Sequence, residues 1–256
     1  MWHVSLSFLE SEQLDLVQSV LHQEVMDFFD AVRARRSIRK FKSEPVPESV
    51  LRAAFDAALL APNSSNLQTW DFFWVRSPDA KSKLVRACLN QSAARTAAEL
   101  VVVTADPALW RRSNPEIIRY ARSIDAPKLV QTYYEKLIPF TYRWGFLNAL
   151  APIKWLLFNS LGLFKPVTRG PCSMRDLQEV AIKSAALAAE NFVLACAAQG
   201  YATCMMEGFD ERRVRQLIKK GGSSRVVMVI AVGREGERGT WGPQFRLPTD
   251  QVVHLI

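Results

Sequence analysis

Residues 185–198 read AALAAENFVLACAA. As a helix this stretch is apolar at nearly every position except Glu190 and Asn191. A helix with so thin a polar edge is either central to a core or buried in a partner. Ser173, with Asp176 three residues later, is a capping-box pattern that can start it. Gly200 is a natural stop, so the pattern predicts a helix over 174–199. With 256 residues, 49% hydrophobic and 23% charged, the chain can bury such an element in a core without disulfide or metal staples.

The rest of the chain arranges itself around that helix. Leu14, Val17, Leu21, Val25 and Phe28 recur at spacings of three and four and predict a helix over 12–34. Pro45 and Pro47 mark a loop. A second helix follows over 48–61 and stops at PNSSN. TWDFFWV (69–75), ELVVVTAD (99–106), YATCMM (201–206) and RVVMVIAVG (225–233) read as strands. Ser77-Pro78 opens a helix with the cap first and proline in the first turn. DERRVRQLIKK (210–220) reads as a helix capped by Asp210. Residues 107–170 read as helical and irregular, and QVVHLI (251–256) as an extended apolar tail that docks elsewhere, a second subunit being one such place. Strands mostly separated by helices indicate an α+β or α/β layered fold.

Several function classes are poorly supported. The formal net charge is +8, but apart from residues 33–42 the basic residues are scattered among acidic ones. Nucleic-acid binding wants a concentrated basic stripe with interleaved aromatics, whereas an anionic ligand or a membrane surface suits this balance. Cys88, Cys172, Cys196 and Cys204 form no CxxC pair, and His3, His22 and His254 are far apart. The expectation is therefore no metal site and a reducing, cytoplasmic setting. MWHVSLSFLESEQ lacks the pattern of a signal peptide. WGFLNALAPIKWLLFNSLGLF (144–164) carries one charge, Lys154. Three readings stand for it: a buried or cap helix pair, a peripheral membrane contact, and a true membrane span, with Pro152, Asn148 and Asn159 speaking against the span.

Two stretches can carry chemistry. RRSIRKF (35–41) packs four basic side chains and a serine into a short run. Arginine matches phosphate oxygens in a bidentate fork and serine adds a neutral donor; the alternative is a solvated basic turn. APNSSNLQTW (61–70) offers Asn63, Ser64, Ser65, Asn66 and Gln68, and amides read the polar edge of a heterocycle by donating and accepting together; the alternative is an ordinary polar turn. There is no GxGxxG after a strand, no Walker lysine loop and no Ser-His-Asp set. With no clear nucleophile, the chemistry of an enzyme built on this chain would be carried by a cofactor.

Taken in order, RRSIRKF with PVP, APNSSNLQTWDFFWV, the long apolar helix, GYATCMMEGFD, VVMVIAVG and a final RLP resemble the flavin-dependent nitroreductase family. The resemblance covers residues 30–105 and 173–248 well and 106–172 loosely. It implies an α+β fold with a mixed central sheet flanked by helices, one domain over 1–256, and 106–172 as a variable helical cap over the substrate. It also implies an intertwined homodimer with FMN at the interface and a C-terminal arm around the other subunit. Arg35, Arg36, Ser37 and Arg39 then correspond to the FMN phosphate and ribityl site. Asn66 meets the flavin from the partner subunit, with Asn63, Ser65 and Gln68 around it. Arg246 completes phosphate binding, with Arg234 as a second candidate. Met205, Met206, Glu207 and Gly208 stand where the family shows Pro-x-Glu-Gly, whose backbone N–H groups face flavin N5; Met205 in place of proline is a departure.

The reaction implied is ping-pong hydride transfer from NADH or NADPH to FMN and then to a nitroaromatic or quinone-like acceptor. The aromatic residues Tyr133, Tyr134, Phe140, Tyr142, Trp144, Phe146 and Trp155 suit a flat substrate, or equally simple helix packing. A reductive dehalogenase or enoate-type reductase on the same scaffold is the alternative, followed by a flavin-binding protein without turnover.

Overall fold

The protein is described by a computed structural model over residues 26–145 and 149–256. Residues 12–25 of the first predicted helix lie outside the described residues, as do His3, His22 and Phe146. Its described part is α1 (Phe28–Ala34), which starts at an N-cap of Asp27 with non-helical backbone, so the expected single helix does not run unbroken to 34.

The chain continues through α2 (Glu48–Leu59), β1 (Trp70–Val75), α3 (Pro78–Ala87), α4 (Ser92–Thr96) and β2 (Glu99–Ala105). A helical segment follows, with α5 (Trp110–Ser123), α6 (Lys128–Thr132), a π-turn (Tyr133–Leu137), α7 (Ile138–Tyr142) and α8 (Ala151–Leu161). Then come α9 (Met174–Ala198), β3 (Ala202–Met206), α10 (Glu211–Leu217) and β4 (Arg225–Gly233). The predicted strands and the helices over 48–61, 174–199 and 210–220 are all present, with ends shifted by a few residues as frayed termini allow. Ser77 caps α3, Asp210 caps α10, and Ser173 with Asp176 forms the capping box of α9.

The sheet order is β1-β2-β4-β3 and every ladder is antiparallel. The expected mixed character is confined to one parallel bridge, Ser37 to Thr203. Because strand side chains alternate between faces, β2 sends Val101 and Val103 to one side and Leu100 and Val102 to the other, and all four are fully buried. Helices cover both faces, which is why ELVVVTAD is apolar without alternation.

On the first face lie α9 and α2. Ala181, Ala185, Ala188 and Ala189 of α9 are fully buried, and small side chains let the helix sit close to the sheet. Phe192 fills the space beyond them against Phe55 and Phe72, at centroid distances of 5.1 and 6.2 Å. Asn191 is half-buried, and its Nδ2 donates to Ala57 O of α2 at 3.1 Å. The other side of α9 leaves Ile182 and Leu187 exposed. α9 is the described helix long and apolar enough to cross a bilayer, but half of that stretch is buried in this core.

Two expectations need correction. Residues 150–164 are not buried; most of their large side chains are exposed, and the one fully buried residue of α8 is its cation, Lys154. Nor do they span a membrane: α8 has 11 residues, about 16 Å of helix against about 30 Å of hydrocarbon. The tail, expected to be extended, is exposed and irregular, with a short 3-10 turn at Thr249–Gln251.

Phe192→Ala should destabilise the protein by about 3–5 kcal/mol, because the ring joins α9, α2 and the sheet. Urea unfolding followed by circular dichroism measures this; a loss below about 1 kcal/mol would show that the site collapses around the gap.

Candidate functional site

Residues 35–41 run along the outer side of β3. β3 is an edge strand, and the Ile38 N–H donates to Thr203 O at 3.0 Å, fixing the basic segment there. The chain after β4 folds back beside it: the Arg39 N–H donates to Gly239 O at 2.7 Å and the Lys42 N–H to Arg234 O at 2.9 Å. Arg36 Nη2 donates to Gly242 O at 2.7 Å. The Arg39 guanidinium lies 4.0 Å over the Trp241 ring and donates to Ser37 O at 3.2 Å.

These contacts build a cavity of about 200 Å³ whose lining includes Arg35, Arg36, Ser37, Arg39 and Arg246, and no carboxylate. Four guanidinium groups around one small space suit an anion with several acceptor oxygens. The sequence left Arg246 and Arg234 as rivals for this place. Geometry separates them: Arg234 lies 4.0 Å over the Tyr201 ring and donates to Gly200 O at 2.8 Å.

Arg39 and Trp241 also line a second cavity, about 500 Å³, with Gln91, Cys204, Met205, Met206 and Glu207. Its volume lies within the roughly 300–1,000 Å³ of small-molecule sites. Arg39 and Trp241 line both spaces, so the two cavities adjoin. Burial pushes the Cys204 thiol up while the Arg39 charge pulls it down, so the field of Arg39 reaches this wall.

At the end of β3 the chain turns, with the Phe209 N–H donating to Glu207 O at 3.0 Å. Among the described residues, the N–H groups of Glu207 and Gly208 have no acceptor. Both residues are exposed, so these donors are open to solvent or to a ligand. Gln91 Nε2 donates to Gly208 O at 2.5 Å, and a Cβ at residue 208 would come within 3.1 Å of that nitrogen. Glycine here permits the approach of Gln91. Gln91 and Trp241 escaped the sequence reading: Gln91 precedes a five-residue helix and belongs to no motif, and Trp241 sits in an irregular loop.

The amide loop has a different place. Ser65, Asn66 and Gln68 have φ of 54°, 52° and 47°, a left-handed region that asparagine tolerates better than most residues. Asn63 holds the loop from inside: its Oδ1 accepts from the Gln68 N–H at 2.8 Å and its Nδ2 donates to Ala61 O at 3.2 Å. Ser65 is held by the helical segment, its Oγ 2.5 Å from the Tyr133 hydroxyl and its carbonyl accepting from the Tyr134 hydroxyl at 3.2 Å. The loop leads into β1, at the edge opposite β3. Three strand spacings, about 14 Å, separate those edges. Within one chain the structure brings together residues 35–39, 205–208 and 246, and leaves 63–68 apart.

The aromatics of the helical segment do not form one stacking surface either. Tyr142 is buried against Trp110, Phe140 meets Phe158 edge-on, and Trp144 lies beside Arg111.

The sequence model of the nitroreductase family matches residues 32–234. The chain belongs to the nitroreductase family. It is 28% identical over 213 residues to Protein DrgA of Synechocystis, covering 83% of this chain and 86% of that one. It is 26% identical over 229 residues to a Thermus thermophilus protein described as NADH dehydrogenase, covering 90% and 96%. A structure from Exiguobacterium sibiricum, solved in complex with FMN, superposes with a TM-score of 0.67 at 21% identity, over 90% of this chain and 98% of that one. The nitroreductase fold is thus reached with the basic segment, the β3 terminus and the amide loop in the positions described.

Gly208→Ala and Gln91→Ala should not be additive. Alanine at 208 crowds Gln91, and shortening Gln91 removes the obstruction, giving a coupling on the order of 1 kcal/mol. Urea unfolding of the two single variants and the double variant measures it; simple additivity would show that the contact does not shape the turn.

Proposed function

We propose that this chain is an FMN-dependent oxidoreductase that takes hydride from NADH or NADPH and passes it to a nitroaromatic or quinone-like acceptor. The observation that carries the reading is a pair of neighbouring cavities that share Arg39 and Trp241: one lined by arginines, the other by Cys204, Met205, Met206 and Glu207 among others, beside the Glu207–Gly208 turn. That donor set fits FMN, a phosphate at one end and a flat ring with acceptor nitrogens at the other. The FMN bound to the similar Exiguobacterium protein supports it.

When bound, FMN supplies the hydride relay between nicotinamide and acceptor. The chain supplies the holding. Arg35, Arg36 and Arg246 neutralise the phosphate, with Ser37 as a neutral donor. The Glu207 and Gly208 N–H groups would face bound FMN and donate to an acceptor nitrogen of its ring. Gln91 orients their peptide by holding Gly208 O. Arg39, stacked on Trp241, would place positive charge beside bound FMN, where it would stabilise negative charge on the ring.

The separated amide loop supports a homodimer. A second copy would bring its Asn66 and Gln68 to the far side of the ring while its own β3 edge faces the first copy. The exposed Ile182 and Leu187 of α9 and the exposed apolar tail residues Phe245, Leu247, Val252 and Val253 supply surface for such an interface. Residues 106–172 act as the cap of this site, held on the amide loop by Tyr133 and Tyr134.

The first test is an absorbance spectrum of the purified protein, repeated anaerobically with NADH and then NADPH. Flavin bands that bleach with either donor are expected; a colourless protein that fails to take up FMN overturns the reading. Arg36→Ala and Arg246→Ala should each weaken FMN binding by roughly tenfold to a hundredfold, the loss of a charge-assisted contact. Arg39→Gln should lower the flavin reduction potential, and an unchanged potential would remove Arg39 from that role.

A further inference from the structure

Helix α8 is inside out. Its only charged residue, Lys154, is 2% exposed, while Ile153, Trp155 and Leu156 are each about 60% exposed. Lys154 Nζ is held by Thr141 O at 2.9 Å and Arg143 O at 2.5 Å. It therefore ties α8 to the carbonyls at the end of α7 instead of reaching water. Leu163 and Phe164, just past the helix, are 79% and 88% exposed. Arg169 closes that end, donating to Gly162 O at 2.9 Å and to Asn159 Oδ1 at 3.1 Å. An exposed apolar patch built so firmly is an interaction surface.

Its surroundings identify the partner. From residue 136 to residue 175 the sequence contains no Asp or Glu. Lys136, Arg143, Lys165, Arg169 and Arg175 lie in this stretch and are all exposed. We propose that residues 150–164 dock on an anionic lipid bilayer, with the apolar side chains entering the headgroup–acyl boundary and the flanking cations meeting lipid phosphates. A second copy fits less well, because a self-complementary contact through this patch would set the same cations against one another.

An apolar groove of about 380 Å³, lined by Leu129, Tyr133, Leu137 and Phe140, adjoins the patch through the Phe140–Phe158 contact. Tyr133 at its edge touches the amide loop through Ser65. A quinone-like acceptor dissolved in the bilayer would have an apolar approach to that loop. This consequence rests on the flavin reading; the docking does not.

Flotation with vesicles tests the docking whether or not flavin is present. Wild-type protein should float with phosphatidylcholine vesicles containing phosphatidylglycerol, much less with phosphatidylcholine alone, and should be released by salt. Ile153→Glu/Leu156→Glu should lower the bound fraction by at least about tenfold, since each loses an apolar side chain from the boundary, with the circular dichroism spectrum unchanged. If that variant loses its fold, Leu163→Ser/Phe164→Ser, beyond the helix, must lower binding in the same direction. Absence of flotation overturns the proposal. So does flotation unaffected by these variants, which would assign binding to another surface such as the arginine cavity. An oligomer dispersed by the same variants, without vesicle binding, would assign the patch to a second copy.

Discussion

The close seat of α9 on the sheet is the contact on which the rest depends. Alanines at 181, 185, 188 and 189 bring the helix onto β2 and β4, and Phe192 fills the space left beside α2. Close packing of this kind leaves little slack, since interiors tolerate neither voids nor overlap. The helix therefore fixes the sheet's position against α2, and the sheet then fixes where its two edges lie. The candidate site is distributed over those edges, so a core interaction sets functional geometry without touching it.

The two edges of the sheet carry different groups of candidate residues. β3 gathers the basic segment and the later arginine because its outer side has room for one bridge and for the returning chain after β4. β1 carries the amide loop on the other side of the molecule. Under the proposed flavin reading a bound ring would need both groups, and a symmetric pair of chains would supply them with no further residues. The exposed apolar side of α9 belongs to the same logic, because a helix apolar nearly all round cannot satisfy all its faces with one sheet.

The helical segment between β2 and α9 answers to different pressures. Tyr133 and Tyr134 fasten it to the amide loop, and Tyr142 and Ile138 pack it beside Leu67 and Leu177. Beyond that anchorage α8 turns its apolar side chains outward and its cation inward. Burying an ammonium group costs free energy unless carbonyls or opposite charges receive it. Here two carbonyls do, and burial still pushes the Lys154 amine down from its ordinary range.

The sequence by itself determined the local elements. Caps at Ser77, Ser173 and Asp210, the apolar strand runs and the stop at Gly200 each follow from short-range chemistry, and each appears where it was expected. The order of motifs also carried the family and the arginine segment. Tertiary structure alone decided the rest. Where each late arginine sits is one such matter: Arg246 lines the arginine cavity, while Arg234 stacks on Tyr201. Gln91 meets Gly208 although 117 positions apart. The sequence leaves the direction of α8 open, because hydropathy records how apolar a segment is, not which way it faces; direction is set by where Lys154 finds its carbonyls, and that is a property of the folded chain.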